Sequence, residues 1–137
     1  MDWLLIATTL FVALSNGAND NFKGFATIWG SDTLNYRQAL TLATLATVAG
    51  SLASLMLAET LVQQFSGIGL VPDAVTSAPL FIISVASGAA VTVYLATQIG
   101  FPVSTTHALI GGLVGAGLAQ SGGAVHFDKL TSAFLLP

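Results

Sequence analysis

The chain alternates between apolar runs and short polar interruptions, and that alternation predicts its elements. Met1 to about Ser15 is an apolar run that ends in Asn16-Gly-Ala-Asn-Asp-Asn21, and Phe22 to Trp29 resumes the apolar character. Each flank is too short to span a bilayer alone, which takes about 20 residues. The pattern therefore predicts a first segment over 1–29 that is a broken helix, with its polar break at Asn16–Asn21. Unwound backbone inside lipid is tolerated only where protein or a water-filled cavity satisfies it. Transporters place such breaks at the midplane, where substrate and coupling ion bind. The plainer alternative is an interfacial loop after a short helix.

Residues 30–38 are a polar loop whose Arg37 suits the cytoplasmic side. A second segment spans about 39–65. Its Ala46, Gly50, Ser54 and Ala58 recur every four residues, which lets two membrane helices approach closely. Glu59 falls near its end and is read as reaching the interface. Residues 66–78 form a Gly/Pro/Ser loop with Asp73 and no basic residue, suited to the outer side. A third segment, 79–99, carries Ser84, Gly88, Thr92 and Ala96 on one stripe. A fourth, 104–120, contains the GxxxG pattern Gly111–Gly115. Residues 121–130 read as loop, and another segment opens at 131.

Between the third and fourth segments lies Gly100-Phe-Pro-Val-Ser-Thr-Thr-His107. It reads as a tight turn, with Pro102 as the stop, followed by the first turn of a helix. Ser104, Thr105 and Thr106 are residue types whose hydroxyls cap helix starts. A helix start leaves about four N–H donors unpaired and carries roughly half a unit of positive charge, so an anion is its natural partner. A short helix that begins this way suggests a re-entrant helical hairpin.

Composition supports a membrane setting. Of 137 residues, 54% are hydrophobic and 7% charged, and the mean hydropathy is +0.84. A soluble surface needs roughly a quarter of its residues charged. The length accommodates about four or five membrane segments. There is no cysteine, hence no disulfide framework or thiolate metal site. The net charge of −3 and three basic residues speak against nucleic acid as a partner. A basic n-region is missing from the N-terminus, which argues against a signal peptide.

The two polar insertions make a constellation. One supplies Asn19 and Asp20, and a carboxylate within a membrane segment is a functional-site hypothesis by default. The other supplies N–H groups and the hydroxyls of Ser104, Thr105 and Thr106. Together they offer donors for an oxyanion and oxygen ligands for a hard cation such as sodium. An enzyme is a poor reading, because Ser104 and His107 lack a third group to orient the histidine. A helical assembly or pore subunit stands as a rival.

Asn16-Gly-Ala-Asn-Asp-Asn-Phe-Lys-Gly24 and Pro102-Val-Ser-Thr-Thr-His-Ala-Leu-Ile-Gly-Gly112 resemble the two signature motifs of the inorganic phosphate transporter (PiT) family. The resemblance implies an all-α, multi-pass protein of the cell membrane. It implies two repeats of opposite topology, each with a broken first helix and a hairpin bearing the Ser-Thr-Thr motif. This chain carries one copy of each motif and so resembles the N-terminal repeat. Its partner would be a missing second repeat or a second copy of the chain.

The resemblance also implies secondary transport of inorganic phosphate coupled to sodium or protons, with no other cofactor, and some relatives carry sulfate. Carried over by position, Ser104, Thr105 and Thr106 would bind phosphate oxygens, Asp20 would face the phosphate or the cation, and Asn19 the cation. Phosphate near neutral pH keeps a proton that a carboxylate can accept as a hydrogen bond, whereas sulfate has none, so Asp20 favours phosphate.

The family pattern continues Val-Ala-Asn after the aspartate, and here Asn21, Phe22 and Lys23 stand instead. Lys23 either stands in for a bound cation or snorkels to the interface, and Asn21 is the candidate for the missing oxygen. His107 is either a proton acceptor in coupling or a neutral histidine held by a carbonyl. The chain ends seven residues into an apparent segment, so a truncated carrier is the expectation.

Overall fold

The computed structural model describes residues 1–123 and 125–132. They form helices α1 (Asp2–Asp20), α2 (Ala26–Gly30), α3 (Tyr36–Leu57), α4 (Glu59–Phe65), α5 (Asp73–Thr76), α6 (Pro79–Gln98), α7 (Thr105–Gln120) and α8 (Phe127–Leu130). A single 3-10 turn, Lys23–Phe25, joins α1 to α2. No strand occurs among the described residues. Among the described residues, two helices, over Tyr36–Met56 and Pro79–Gln98, are long and apolar enough to cross a membrane. The segment expected from residue 131 falls largely outside the described residues.

The first helix is broken, but later than its composition predicts. Asn16, Asn19 and Asp20 remain helical as the last turn of α1, and the chain leaves the helix at Asn21–Phe22. The reason is spacing. Positions 16, 19, 20 and 23 fall on one face of a helix, and that face meets other parts of the chain. Polar side chains satisfied by neighbours do not require the backbone to unwind.

Helices α1 and α6 run side by side in the same direction. The Asn19 amide donates to the Thr97 hydroxyl near their shared end, and further back Val12 and Ala13 share a groove with Val85 and Ala86. The Phe11 and Tyr94 rings lie 5.7 Å apart. Helix α6 ends in a Schellman motif: the Phe101 N–H reaches the Ala96 carbonyl at 2.8 Å and the Gly100 N–H reaches Thr97 at 3.1 Å. Gly100 takes φ +77°, a value that glycine adopts without penalty. Gly100, rather than Pro102, therefore stops the helix.

Helix α7 returns antiparallel to α6. The Gln120 amide donates to the Ser84 hydroxyl at 3.1 Å, and the two backbones touch at Gly112. A Cβ on Gly112 would stand 2.8 Å from the Val85 carbonyl oxygen, whereas Gly111 and Gly115 face open space. The close approach thus uses Gly112, and not the GxxxG pair. The Ala46–Gly50–Ser54 stripe of α3 is exposed in this chain.

The apolar core sits at the end of the hairpin away from its tip. Leu70, Val71, Phe81, Leu113, Ala116 and Val125 pack there. The segments 66–72 and 125–130 are held together by a bond from the His126 N–H to the Leu70 carbonyl at 2.9 Å. The tip, residues 99–104, is left to meet the end of α1. Helix α3 starts at an Asn35–Gln38 capping box and docks at its top through Phe22, Trp29 and Tyr36, whose rings pack 5.6–5.9 Å apart.

Candidate functional site

Three helix ends converge at the tip. The C-terminal ends of α1 and α6 bring partial negative charge, and the N-terminal end of α7 brings partial positive charge. Ser104 caps α7, its hydroxyl accepting from the His107 N–H at 3.3 Å. That leaves the N–H groups of Thr105 and Thr106 without intrahelical carbonyls.

Thr105 joins the two motifs from the α7 side. Its side chain is half-buried, and its hydroxyl lies 2.6 Å from Asn16 Oδ1 and 3.1 Å from Asp20 Oδ2. Asn19 turns toward α6 and the hairpin tip, donating from Nδ2 to Thr97 Oγ1 at 2.8 Å and to the Phe101 carbonyl at 3.5 Å. Lys23 closes the group from below. Its Nζ donates to Asn19 Oδ1 at 2.6 Å, to Asp20 Oδ1 at 2.5 Å and to the Val103 carbonyl at 3.0 Å. The side chains of Lys23 and Asp20 are 41% and 39% exposed, so this ion pair is reached by solvent. An open cleft beside it is lined by Asn19, Lys23, Thr97, Phe101 and Pro102.

The remaining sequence candidates sit elsewhere. Asn21 points to α3, accepting from the Thr47 hydroxyl at 2.7 Å and donating to Thr44 at 3.3 Å. Thr106 and His107 are exposed on the first turn of α7. Asn16, Thr97 and the Val103 carbonyl belong to the cluster and carried no role in the sequence reading. Asn16 was legible from spacing, because it precedes Asn19 and Asp20 by three and four residues on a helix face. The carbonyl left no sequence signal.

Chemically the arrangement pairs N–H and O–H donors at one helix start with amide and carboxylate oxygens at another helix end. An oxyanion suits the first and a cation the second. Among the described residues, no cluster of three His, Cys, Asp or Glu side chains could hold a metal ion.

Comparison with known proteins bears on the same segments. A family model described as the phosphate transporter family matches residues 16–136. The phosphate-repressible phosphate permease of Neurospora crassa is 32% identical over 145 residues, covering 98% of this chain and 25% of that protein. A protein of Thermococcus kodakarensis named as a phosphate permease is 36% identical over 139 residues, covering 97% and 34%. One of Mycobacterium tuberculosis with a similar name is 36% identical over 122 residues, covering 85% and 22%. The chain thus spans only a part of each of these relatives, 22–34% of their length. No solved structure is a significant match. The family match begins at Asn16, in the last turn of α1, and runs through the whole α6–α7 hairpin, so this chain belongs to the phosphate transporter family and is a membrane protein.

Proposed function

We propose that this chain builds half of an inorganic phosphate site in a secondary transporter of the cell membrane. The observation that carries the reading is the meeting of Thr105 with Asn16 and Asp20, residues 89 and 85 positions away. It joins an anion-binding helix start to an oxygen-rich helix end, as a site for phosphate and a compensating cation needs.

In this reading Ser104 and Thr106 present hydroxyls, and Thr105 and Thr106 their N–H groups, to phosphate oxygens at the start of α7, while the Thr105 hydroxyl stays on Asn16 and Asp20. Asp20 accepts a hydrogen bond from the proton that phosphate keeps near neutral pH. Asn19 and Asp20 offer oxygens to positive charge, sodium among the candidates, which lowers the cost of moving an anion through a low-dielectric medium. The α6–α7 pair acts as a re-entrant hairpin whose tip reaches the membrane interior. A second repeat of opposite topology, or a second copy, supplies the other half. The coupling ion is sodium or a proton, and His107 is the proton acceptor in the latter case.

The test is uptake of labelled phosphate into vesicles containing the polypeptide that carries this sequence in its source membrane. Saturable uptake that Asp20→Asn and Thr105→Val both diminish is expected. Preference for sulfate over phosphate would assign another oxyanion, and non-saturable flux indifferent to both substitutions would overturn the carrier reading. The intact mass of that native polypeptide tells the two sources of the second half apart: well above 14.0 kDa means a second repeat, and equal to it means a second copy.

A further inference from the structure

The Lys23 ammonium has three N–H donors, and the structure gives it three oxygens: Asn19 Oδ1, Asp20 Oδ1 and the carbonyl of Val103. The first two lie on the last turn of α1, and the third lies 80 residues away in the hairpin tip. An amide, a carboxylate and a backbone carbonyl are the ligand types a hard monovalent cation selects. The location also calls for positive charge. The Asp20 carboxylate lies there, beside the C-terminal ends of α1 and α6, each with roughly half a unit of negative charge.

We infer that Lys23 is a tethered counter-cation: its ammonium occupies the oxygen cage of Asn19, Asp20 and Val103 in place of a free alkali ion. The neutralising charge that accompanies the oxyanion in this half of the site is therefore part of the chain. This rests on the reading of the α7 start as an oxyanion site. An exposed Asp–Lys pair by itself contributes little. What distinguishes Lys23 is the third ligand, which ties the break in the first helix to the hairpin tip and closes the cage on two sides.

Removing the ammonium should open the cage to small cations, and filling it with a methyl group should not. Lys23→Ala and Lys23→Met are compared with the parent polypeptide in detergent, with sodium, methylammonium or choline chloride at equal ionic strength. Thermal unfolding is the first readout and needs no phosphate. Lys23→Ala should gain a stabilisation by sodium or methylammonium, over choline, that exceeds any shown by the parent, and Lys23→Met should not. Labelled-phosphate binding is the second readout. In choline, Lys23→Ala should bind phosphate about tenfold or more weakly, the scale of one lost charge-assisted interaction, and the small cations should restore it.

A Lys23→Ala response to sodium and methylammonium no larger than the parent's overturns the inference. Should the parent bind no phosphate while Lys23→Ala gains the cation response, the oxyanion reading fails and the cage assignment stands. Should the parent bind phosphate and Lys23→Ala show no cation response, the reverse holds.

Discussion

The hydroxyl of Thr105 reaches the carboxylate of Asp20 at 3.1 Å across 85 residues of chain. It also touches Asn16 at 2.6 Å, so one methyl-sized group holds the start of α7 against the end of α1. This contact couples the two motifs, and it defines the first prediction. Thr105→Val keeps the shape and removes the hydroxyl. It should destabilise the junction by about 1 kcal/mol or more, because the acceptor is charged and the site is only half-buried. Phosphate affinity should fall about tenfold for each 1.4 kcal/mol lost. Thr105→Ser should restore most of both. Thermal unfolding and equilibrium binding of labelled phosphate measure these effects, and a valine variant equal to the parent in both would remove Thr105 from the site.

Asp20 accepts from Thr105 on one oxygen and from Lys23 on the other. Replacing the carboxylate with an amide retains size but removes the charge that distinguishes a protonated oxyanion from a fully ionised one. Asp20→Asn should narrow the preference for phosphate over sulfate in competition uptake. An unchanged selectivity ratio would refute the role.

The α6–α7 hairpin depends on Gly112. A Cβ there would stand 2.8 Å from the Val85 carbonyl oxygen and 3.4 Å from its Cα, and backbone cannot step aside as a flexible side chain does. Gly112→Ala should cost about 1–3 kcal/mol through overpacking. Gly111→Ala and Gly115→Ala face open space in this chain and should be neutral or stabilising by up to about 1 kcal/mol through helix propensity. Melting temperatures of the three variants in one detergent decide the matter. Equal losses at all three positions would mean that Gly111 and Gly115 are covered by a further segment or a second chain.

Asn21 links the broken first helix to α3 through Thr44 and Thr47. Asn21→Ala should release that latch at a cost of about 1–2 kcal/mol for two bonds. Faster hydrogen exchange at the break, residues 21–25, would report the release. Phosphate binding in this variant should change much less than in Thr105→Val. A comparable loss in both would move Asn21 into the binding site itself.

The sequence by itself was enough for the class of the molecule and the chemistry of its motifs. An apolar chain with 7% charged residues has no surface for water, and hydroxyl-rich residues after a glycine-proline turn announce a helix start. Periodicity was available too, since Asn16, Asn19, Asp20 and Lys23 share a helical face. Composition alone places the break there, because a run of polar residues interrupts an apolar helix. What tertiary structure decided was which neighbour satisfies each of them. Thr105 and Thr97, from segments some 80 residues downstream, let the last turn of α1 stay helical and move the break to Asn21–Phe22. The same holds for the packing glycines. Four glycines in α7 are equivalent in sequence spacing, and only the path of α6 selects Gly112 for the contact with Val85. The third oxygen on Lys23 is a backbone carbonyl, which every residue owns, so no pattern of side chains could point to Val103. Local interactions choose where helices form, whereas long-range hydrogen bonds and backbone contacts choose where they break and what they hold.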